Sequence, residues 1–349
     1  MKRLLLFSAA ALLAATTAQA QNVTLTMAAA QPGGTTDVSA KNLAEVAAAG
    51  KIATIQVQVG QVLTRTLQQV AEGKTNISAG PFALHFLLSR GLGPYSGVGK
   101  QKGAELAGNL RLLYPYHIAT FFLMAYQTTG IDSWDKLKGK TVFNGPPRGG
   151  ALINARQMIL ATTGLKDGDG YTGKQIAWGQ ANSIFLDRSV DAAVRPGTNP
   201  DSNLPILLAA GKINLVSVPK AKYEGPLWQK LRKSPGRVGI VKPVSDFAHY
   251  GNDVKVISED NMFRTAGEAA GEFVHKNMDK ALAKALTAAY IKSLPDLYKK
   301  VPFAKSQMFG HIDDENMGMC RAHVKLHPGA IEAWEEAGYK IDDCAKPQG

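Results

Sequence analysis

The sequence predicts an α/β protein of about two globular domains. With 349 residues, the chain is long for a single hydrophobic core. Three consecutive strand–helix units near its beginning are typical of a parallel sheet covered by helices on both faces. An apolar fraction of 45% excludes a disordered chain, and two cysteines are too few for a scaffold built from disulfides.

The first three strand–helix units occupy the region before residue 90. Ile55, Val57 and Val59 alternate with glutamines, which indicates a half-buried strand. The predicted elements are a strand over 23–27, a helix over 37–49, a strand over 55–59, a helix over 63–72, a strand over 76–79 and a helix over 81–88. The apolar segment 110–126 then contains two strand-like stretches around Pro115.

The alternation continues in the second part of the chain. We expect a short helix over 132–140, strands over 141–144, 176–178, 190–195, 213–218 and 254–257, a helix ending near 163, and surface loops over 220–251. The last hundred residues are expected to be mainly helical. Val274, Met278, Leu282 and Leu286 recur every four positions and predict one amphipathic helix. His327, followed by Pro and Gly, is expected to open the final helix.

The first twenty residues are typical of a secretory signal. Lys2 and Arg3 precede an apolar run over 4–15, and small residues at 18–20 form the expected cleavage pattern. We therefore expect cleavage after Ala20 and export of the mature chain. The run is too short for a permanent membrane span.

The net charge of +12 suggests three kinds of partner: nucleic acid, an acidic membrane surface or a small anion. Export separates the chain from chromosomal DNA. The basic residues are also scattered, without the dense tract or interleaved aromatic residues of a nucleic-acid site. We expect no nucleic-acid partner.

Two glycine-rich loops, 32–36 and 145–150, each connect a predicted strand to a predicted helix. A helix N-terminus presents free N–H groups and the positive end of the helix dipole, so such a loop can hold an anion. Thr35 and Thr36 add hydroxyl donors, and Arg148 adds a guanidinium. The alternative is that the glycines serve only the turns. Two equivalent loops in two half-chains favour a ligand held between two domains.

Three further side chains are candidates for the same site. Arg195 ends an apolar strand before a Pro-Gly turn, which places it toward the strand's carboxyl end, where ligands of open α/β sheets bind. The alternative is a surface arginine at a strand exit. Tyr114 and His117 could offer polar groups over an apolar wall, or could be core residues with satisfied polar atoms.

Near matches to other functional motifs fail at key positions. The segment 168–175 has Walker spacing, but Gln175 replaces the magnesium-binding hydroxyl residue. A calcium loop beginning at Asp167 lacks its later ligands. His323 and His327 form the one close histidine pair, without an HExxH motif, and no G-x-S-x-G motif occurs. We expect no metal, no cofactor and no enzymatic activity.

The two cysteines, Cys320 and Cys344, lie within the last thirty residues. Because exported proteins meet an oxidising environment, we expect these residues to form a disulfide. Closing a loop of this length stabilises the fold by about 3 kcal/mol in the chain-entropy model.

Several motifs together resemble a known family. Gly-Gly-Thr-Thr at 33–36, the segment 135–147 (DKLKGKTVFNGPP), Val-Asp-Ala-Ala at 190–193 and Leu-His-Pro-Gly-Ala-Ile at 326–331 occur in an order similar to that of TAXI-type solute-binding proteins of tripartite ATP-independent periplasmic (TRAP) transporters. Of these motifs, the stretch leading to GPP and the HPGA helix start are the most specific to this family.

The resemblance implies a type II periplasmic binding fold, in which two α/β lobes joined by crossing strands close on a small solute. It also implies a periplasmic receptor that delivers a carboxylate, a dicarboxylate or an amino acid to a permease driven by an ion gradient. The family usually continues GPP with Gly-Ser-Gly-Thr, where this chain has Arg148 and then Gly-Gly-Ala. An inward-pointing Arg148 would favour a more anionic ligand.

On this basis we expect a monomeric receptor with a signal peptide over 1–20, lobe one over 21–127 plus 251–349, and lobe two over 128–250. The candidate ligand-binding residues are Gly34, Thr35, Thr36, Ser78, Ala79, Gly80, Tyr114, His117, Asn144, Arg148, Gly149, Gly150 and Arg195. The alternatives are a periplasmic sensor or scavenger that serves a signalling partner, and a secreted hydrolase, which would turn its substrate over.

Overall fold

The computed structural model describes residues 23–347, so the expected signal peptide lies outside the described residues. The strands are β1 (Thr24–Ala28), β2 (Thr54–Gln58), β3 (Ile77–Pro81), β4 (Leu110–Tyr126), β5 (Thr141–Phe143), β6 (Thr172–Lys174), β7 (Ala192–Gly197), β8 (Ile213–Val216), β9 (Arg237–Pro243), β10 (Val254–Ile257) and β11 (Met262–His275).

Helices cover the sheet, and most of them follow a strand directly. They are α1 (Thr35–Ala49), α2 (Leu63–Ala71), α3 (Phe82–Arg90), α4 (Lys100–Gly108), α5 (Gly150–Thr163), α6 (Ala181–Leu186), α7 (Leu204–Leu208), α8 (Lys220–Tyr223), α9 (Pro226–Arg232), α10 (Lys280–Lys300), α11 (Asp314–Met317) and α12 (Pro328–Glu336). Among the described residues, no helix is both long enough and apolar enough to span a membrane.

Lobe one is built on the strand order β2-β1-β3-β11-β4. β1 pairs in parallel with β2 and β3, as the three early strand–helix units predict. β11 enters between β3 and β4 and is antiparallel to both. Helices α1 to α4 and α10 to α12 belong to this lobe. His327 caps α12 by accepting a hydrogen bond from the Gly329 amide, as the HPGA motif predicts.

Lobe two is built around the second half of β4, which pairs with β7 and β8. β5 lies between β6 and β7 in parallel, β10 extends the sheet beyond β8, and β9 pairs with the first half of β11. A second hydrophobic core fills this lobe, with Trp134 and Trp228 fully buried. The indole of Trp228 donates to Thr162 Oγ1 at 3.0 Å.

β4 and β11 are the two connections that run through both lobes. β4 is a single strand of 17 residues where two stretches were expected. Pro115 lies opposite Gly271, where the register of the two strands shifts, so the missing N–H of the proline is accommodated by an irregular pair. These strands confirm the expected fold class, two α/β lobes joined by crossing strands.

Strand pairing gives a finer division of the chain than the expected crossing points near Tyr126 and Val254. β9, β10 and the first half of β11 pair on the side of lobe two. We therefore place both lobe boundaries inside β4 and β11.

Three expectations about secondary structure were wrong. β11 lies within the last hundred residues, which were expected to be mainly helical, and the amphipathic helix predicted from Val274 onward begins only at α10. The segment 220–251, expected to be loop, contains α8, α9, β9 and a 3₁₀ helix over 244–253. The expected strand over 176–178 is replaced by β6 and a 3₁₀ turn, Trp178–Gln180.

Cys320 and Cys344 are paired in a disulfide, with their Cα atoms 5.5 Å apart. This bond ties the loop after α11 to the C-terminal segment of lobe one. The neighbouring Asp314 carboxylate accepts a hydrogen bond from the Cys320 amide at 2.7 Å.

Candidate functional site

The two lobes enclose a cleft, and the crossing strands form its floor. Ile118, Ala119 and Phe121 of β4 and Glu268 of β11 line this floor. About 690 Å³ of space, including the mouth, is free of protein atoms. Clefts of this size between two domains are typical sites for small organic molecules.

The N-termini of α1 and α5 meet at this cleft from opposite lobes. The N-cap residues are Gly34 and Gly149, and neither helix has a side-chain cap. The two turns are alike, since each N-cap amide donates to the carbonyl three residues earlier at 3.1 Å. The next three amides, at 35–37 and 150–152, find no acceptor among the described residues. Two helix ends with free N–H groups therefore face one enclosed space. At α1 the buried Asp37 carboxylate of the first turn, paired with Lys41 at 2.9 Å, offsets part of the positive dipole end.

Thr35 and Thr36, the first two residues of α1, differ in what their hydroxyls contact. Both side chains are buried and line the cleft. Thr36 Oγ1 accepts a hydrogen bond from the Ala30 amide at 3.0 Å. Thr35 Oγ1 is buried without a hydrogen-bond partner among the described residues. Buried hydroxyls are normally satisfied, so Thr35 offers a donor or acceptor to a bound molecule.

Most of the remaining lining is apolar. Val62, Leu63 and Leu84 come from lobe one, and Pro146 and Trp178 from lobe two. Burying the apolar surface of a ligand against these walls contributes about 25 cal/mol per Å² to its binding. The cleft thus suits a molecule with an apolar body and a charged or polar end.

Arg195 lies behind the cleft wall and is 3% exposed. Its Nη2 is 3.5 Å from Oδ2 of Asp201, which does line the cleft. Arg195 also donates weakly to the Asn182 side chain and to the Pro196 carbonyl, at 3.4 and 3.3 Å. The guanidinium therefore offsets the charge of Asp201 from behind.

Glu268 is the second acidic group of the lining and is only 4% exposed. Its Oε1 is 3.8 Å from Nε of Arg237, beyond hydrogen-bond distance. Burial raises the pKa of the Glu268 carboxyl, while Arg237 and Asn154 act in the opposite direction.

The lobes contact each other on both sides of the cleft. Ser202 Oγ donates to the Gly33 carbonyl at 2.7 Å, and Asn203 Nδ2 approaches the Pro32 carbonyl at 3.4 Å. On the other side, Thr64 Oγ1 donates to the Arg148 carbonyl at 3.1 Å. The structure therefore represents a closed arrangement of the lobes.

Five of the candidate residues are brought together at the cleft. They are Gly34, Thr35, Thr36, Gly149 and Gly150. All five belong to the two glycine-rich loops and helix starts, so the loop pattern located the meeting point of the two lobes.

Four candidates lie beside the cleft, in the interior of the lobes. Ser78 is fully buried and bonds to Thr66, and Ala79 is also fully buried. A Cβ at Gly80 would meet the Phe273 ring at 2.8 Å, so this glycine serves close packing. Asn144 is fully buried and donates to the Asp167 carboxylate at 3.1 Å. None of the four lines the cleft.

Three other candidates point elsewhere. Tyr114 is fully buried, and its ring stacks on that of Tyr290 with centroids 3.5 Å apart. The His117 ring bonds to the Asn316 carbonyl at 2.9 Å. Arg148 has a φ of 60° and an exposed side chain, which lines a separate cavity between the lobes. The positive φ belongs to the turn before α5 and carries this side chain away from the cleft.

Sequence reasoning did not identify Asp201, Asn203 or Glu268 as cleft residues. Asp201 and Asn203 follow the turn after β7, and this position beyond a strand's carboxyl end was a usable signal. Glu268 lies on β11, which sequence patterning did not reveal.

Residues 27–338 match the model of the NMT1-like family. The chain belongs to the NMT1-like family. The match covers most of both lobes, including both glycine-rich helix starts and both crossing strands.

Solved structures also resemble this member of the NMT1-like family. One is XAC2383 from Xanthomonas citri bound to ATP, with 11% identity, a TM-score of 0.45 and coverage of 90% of this chain and 99% of that chain. Another is a TRAP periplasmic solute-binding protein from Ralstonia eutropha with bound (S)-2-acetolactate, with 12% identity, a TM-score of 0.46 and coverage of 91% and 86%. A third is the periplasmic ectoine-binding protein of a TRAP transporter from Halomonas elongata, with 12% identity, a TM-score of 0.43 and coverage of 90% of each chain.

Proposed function

We propose that this chain is an extracytoplasmic solute receptor of the TAXI type. In this proposal it binds a small organic anion between its lobes in the periplasm and delivers it to the membrane permease of a TRAP transporter. The observation that carries the proposal is the convergence of the α1 and α5 N-termini on one cleft, with six amides that lack an acceptor among the described residues.

The opposed helix ends also explain why an anion would favour closure. Each N-terminus alone attracts an anion only modestly, by about 0.3 to 1 kcal/mol at an exposed site. When the lobes close, water leaves and both sets of amides reach the same group, so each interaction becomes stronger. A carboxylate therefore prefers the closed arrangement, and its binding shifts the population toward it.

The apolar walls support a carboxylate with a compact hydrocarbon body. Val62, Leu63 and Leu84 offer no hydrogen bond to a second charged end, and Asp201 is an unfavourable neighbour for one. Within the candidate classes, a monocarboxylate fits this lining better than a dicarboxylate. We assign Gly34, Thr35, Thr36, Gly149 and Gly150 to carboxylate binding.

Gly150 allows a direct test, because it is the first residue of α5. Proline is well tolerated at this helix position and lacks an N–H, and the extended ψ of 157° at Gly149 suits a following proline. Gly150→Pro should therefore keep the helix and remove one amide from the cleft. Gly150→Ala is the matched control, since its Cβ would make only ordinary contact with Leu84 at 3.5 Å or more.

The measurement is titration calorimetry of the mature chain with monocarboxylates and dicarboxylates of increasing size and with their neutral amides. We expect carboxylates to bind and their amides to bind far more weakly. Gly150→Pro should lose about 1.5 kcal/mol of binding free energy, about tenfold in Kd, and Gly150→Ala much less. Equal binding of acids and amides, or equal affinities of the two variants, would contradict the proposal.

A further inference from the structure

Glu268 is a buried carboxyl that faces the ligand cleft without an adequate partner. Its strand neighbours are Ala119 of β4 and Arg237 of β9. Among the described residues, no hydrogen bond within 3.5 Å reaches its carboxylate oxygens, and the nearest cation is Arg237 at 3.8 Å. The Asn154 amide lies near enough to lower the pKa of Glu268, but it donates its hydrogen bond to the Gly150 carbonyl. A charge taken out of water needs close pairing or hydrogen bonds to be stable.

Arg237 is itself occupied by another acceptor. Its Nη2 donates to Gln157 Oε1 at 2.7 Å, on the side of the separate cavity between the lobes. The cleft lining contains no lysine, arginine or histidine, so nothing else in the cleft neutralises Glu268.

Asp201, the other acid of the lining, is in a different position. Its Oδ1 accepts from the Asn203 amide at 2.8 Å, and its Oδ2 lies 3.5 Å from Arg195. The Asp201 carboxylate therefore already has partners near its own loop. Glu268 is the carboxyl whose missing hydrogen bond a bound molecule can supply.

We propose that Glu268 accepts a hydrogen bond from an ammonium or hydroxyl group of the ligand, and so selects organic acids that carry such a donor over acids of the same shape that lack one. This inference rests on the proposed function, because it takes the carboxylate of the ligand to lie at the amides of α1 and α5. The ligand then spans the cleft, with its anionic group at the helix ends and its donor at the β11 floor.

The selection follows from the cost of leaving Glu268 unpaired. An acid without a donor would cover the carboxyl with an apolar surface and remove its remaining contact with water. A site built to hydrogen-bond a ligand group rejects analogues that lack that group, because its own buried polar atoms stay unsatisfied.

The experiment compares matched acids on the full mature chain by titration calorimetry. One series is propanoate, lactate and alanine; the other is phenylpropanoate, phenyllactate and phenylalanine. Each series keeps the carbon skeleton and changes only the donor. We expect the best-fitting skeleton to bind wild type at least tenfold more tightly with a donor than without, and the hydroxyl and ammonium members to show which donor is preferred.

Glu268→Gln should reduce this preference at least tenfold for an ammonium and less for a hydroxyl, because the amide oxygen still accepts but carries no charge. Glu272→Gln is the matched control, on the same strand but outside the cleft lining, and should keep the wild-type preference.

Each failure has a distinct signature. If acids bind but those with and without a donor bind wild type equally, the role of Glu268 is wrong and the proposed function stands. If Glu268→Gln keeps the full preference, the role of Glu268 is also wrong. If no acid of any class binds, the proposed function fails and this inference with it. The wild-type comparison decides the matter even if Glu268→Gln does not fold.

Discussion

Two adjacent threonines at the start of α1 illustrate how a residue's partners separate ligand binding from stability. Thr36 satisfies a backbone amide of the preceding loop, at Ala30. Thr35 is equally buried but bonds to no described residue. The Thr36 hydroxyl therefore has a structural role, and the Thr35 hydroxyl is free to contact a ligand.

Valine in place of each threonine separates these roles, because valine keeps the shape and removes the hydroxyl. Thr35→Val should leave the free energy of unfolding nearly unchanged and weaken carboxylate binding by about 1 kcal/mol. Thr36→Val should cost about 1 to 3 kcal/mol of stability, since it leaves the Ala30 amide buried without an acceptor. Urea denaturation and calorimetry measure the two effects. A larger stability loss for Thr35→Val than for Thr36→Val would reverse the assignment.

At the residue scale, the sequence located the candidate residues at the two helix starts but not the acids elsewhere in the cleft lining. The glycine-rich loops are visible because a strand, a turn and a helix start are local features. Arg148 was chosen as a candidate only because a guanidinium binds anions. The direction of its side chain depends on a backbone conformation that no local pattern specifies. Glu268 becomes a cleft residue only through the pairing of β11 with β4, which is a long-range contact.

At the scale of elements, β11 carries a second buried carboxyl within lobe one. Glu272 is fully buried, and its Oε1 accepts from Tyr116 Oη and Ser39 Oγ, both at 2.7 Å. Its Oε2 has no partner among the described residues. The titratable groups facing it are tyrosines, Tyr116 and Tyr114 from β4 and Tyr290 from α10. Burial raises the pKa of Glu272 to about 7.

This raised pKa predicts how stability depends on pH. The ordinary pKa of a glutamate is 4.5, so from about pH 4.5 to about pH 7 the unfolded chain releases a proton that the folded chain keeps. The contribution of Glu272 to stability is therefore complete below pH 4.5 and is lost as pH rises toward 7. Relative to Glu272→Gln, which does not titrate, wild type should lose about 2 to 3 kcal/mol over this window. Urea denaturation at pH 4.5 and 7.5 measures the difference; parallel profiles for the two proteins would contradict it.

β11 also explains which elements the sequence could predict. The parallel strands of lobe one were found because helices separate them and one strand alternates clearly. β11 is rich in Ala, Gly and Glu and is buried on both faces, so it shows no period of two. Its glycines serve close packing, since a Cβ at Gly271 would meet the Tyr114 carbonyl at 2.3 Å and one at Gly267 would meet the Ala119 carbonyl at 2.7 Å. Its alanines and glutamates favour a helix when local pattern is the only guide.

At the scale of the whole molecule, the closed arrangement depends on few direct contacts between the lobes. They include the hydrogen bonds from Ser202 to the Gly33 carbonyl and from Thr64 to the Arg148 carbonyl on opposite sides of the cleft, with longer ones from Asn203 to Pro32 and from Ser306 to Asn199. The lobes are also joined covalently through β4 and β11. Chain length and alternation predicted about two α/β domains, and the family resemblance implied two lobes that close on a solute. The contacts that hold the lobes closed are long-range and arise only when the lobes meet.

Ser202 permits a test of closure that does not alter the cleft lining. Ser202→Ala removes one hydrogen bond that exists only when the lobes are closed, and so should destabilise the closed state by about 0.5 to 1.5 kcal/mol. Because the affinity measured for a ligand includes the free energy of closure, Kd for the carboxylate should rise about two- to tenfold, mainly through faster dissociation.

Ser89→Ala is the matched control, since Ser89 Oγ donates to the Phe86 carbonyl within lobe one at 2.8 Å. Stopped-flow dissociation rates measure the effect, and X-ray scattering should show that saturating ligand reduces the radius of gyration of both variants. Equal dissociation rates for the two variants would mean that the contact at Ser202 does not hold the lobes closed.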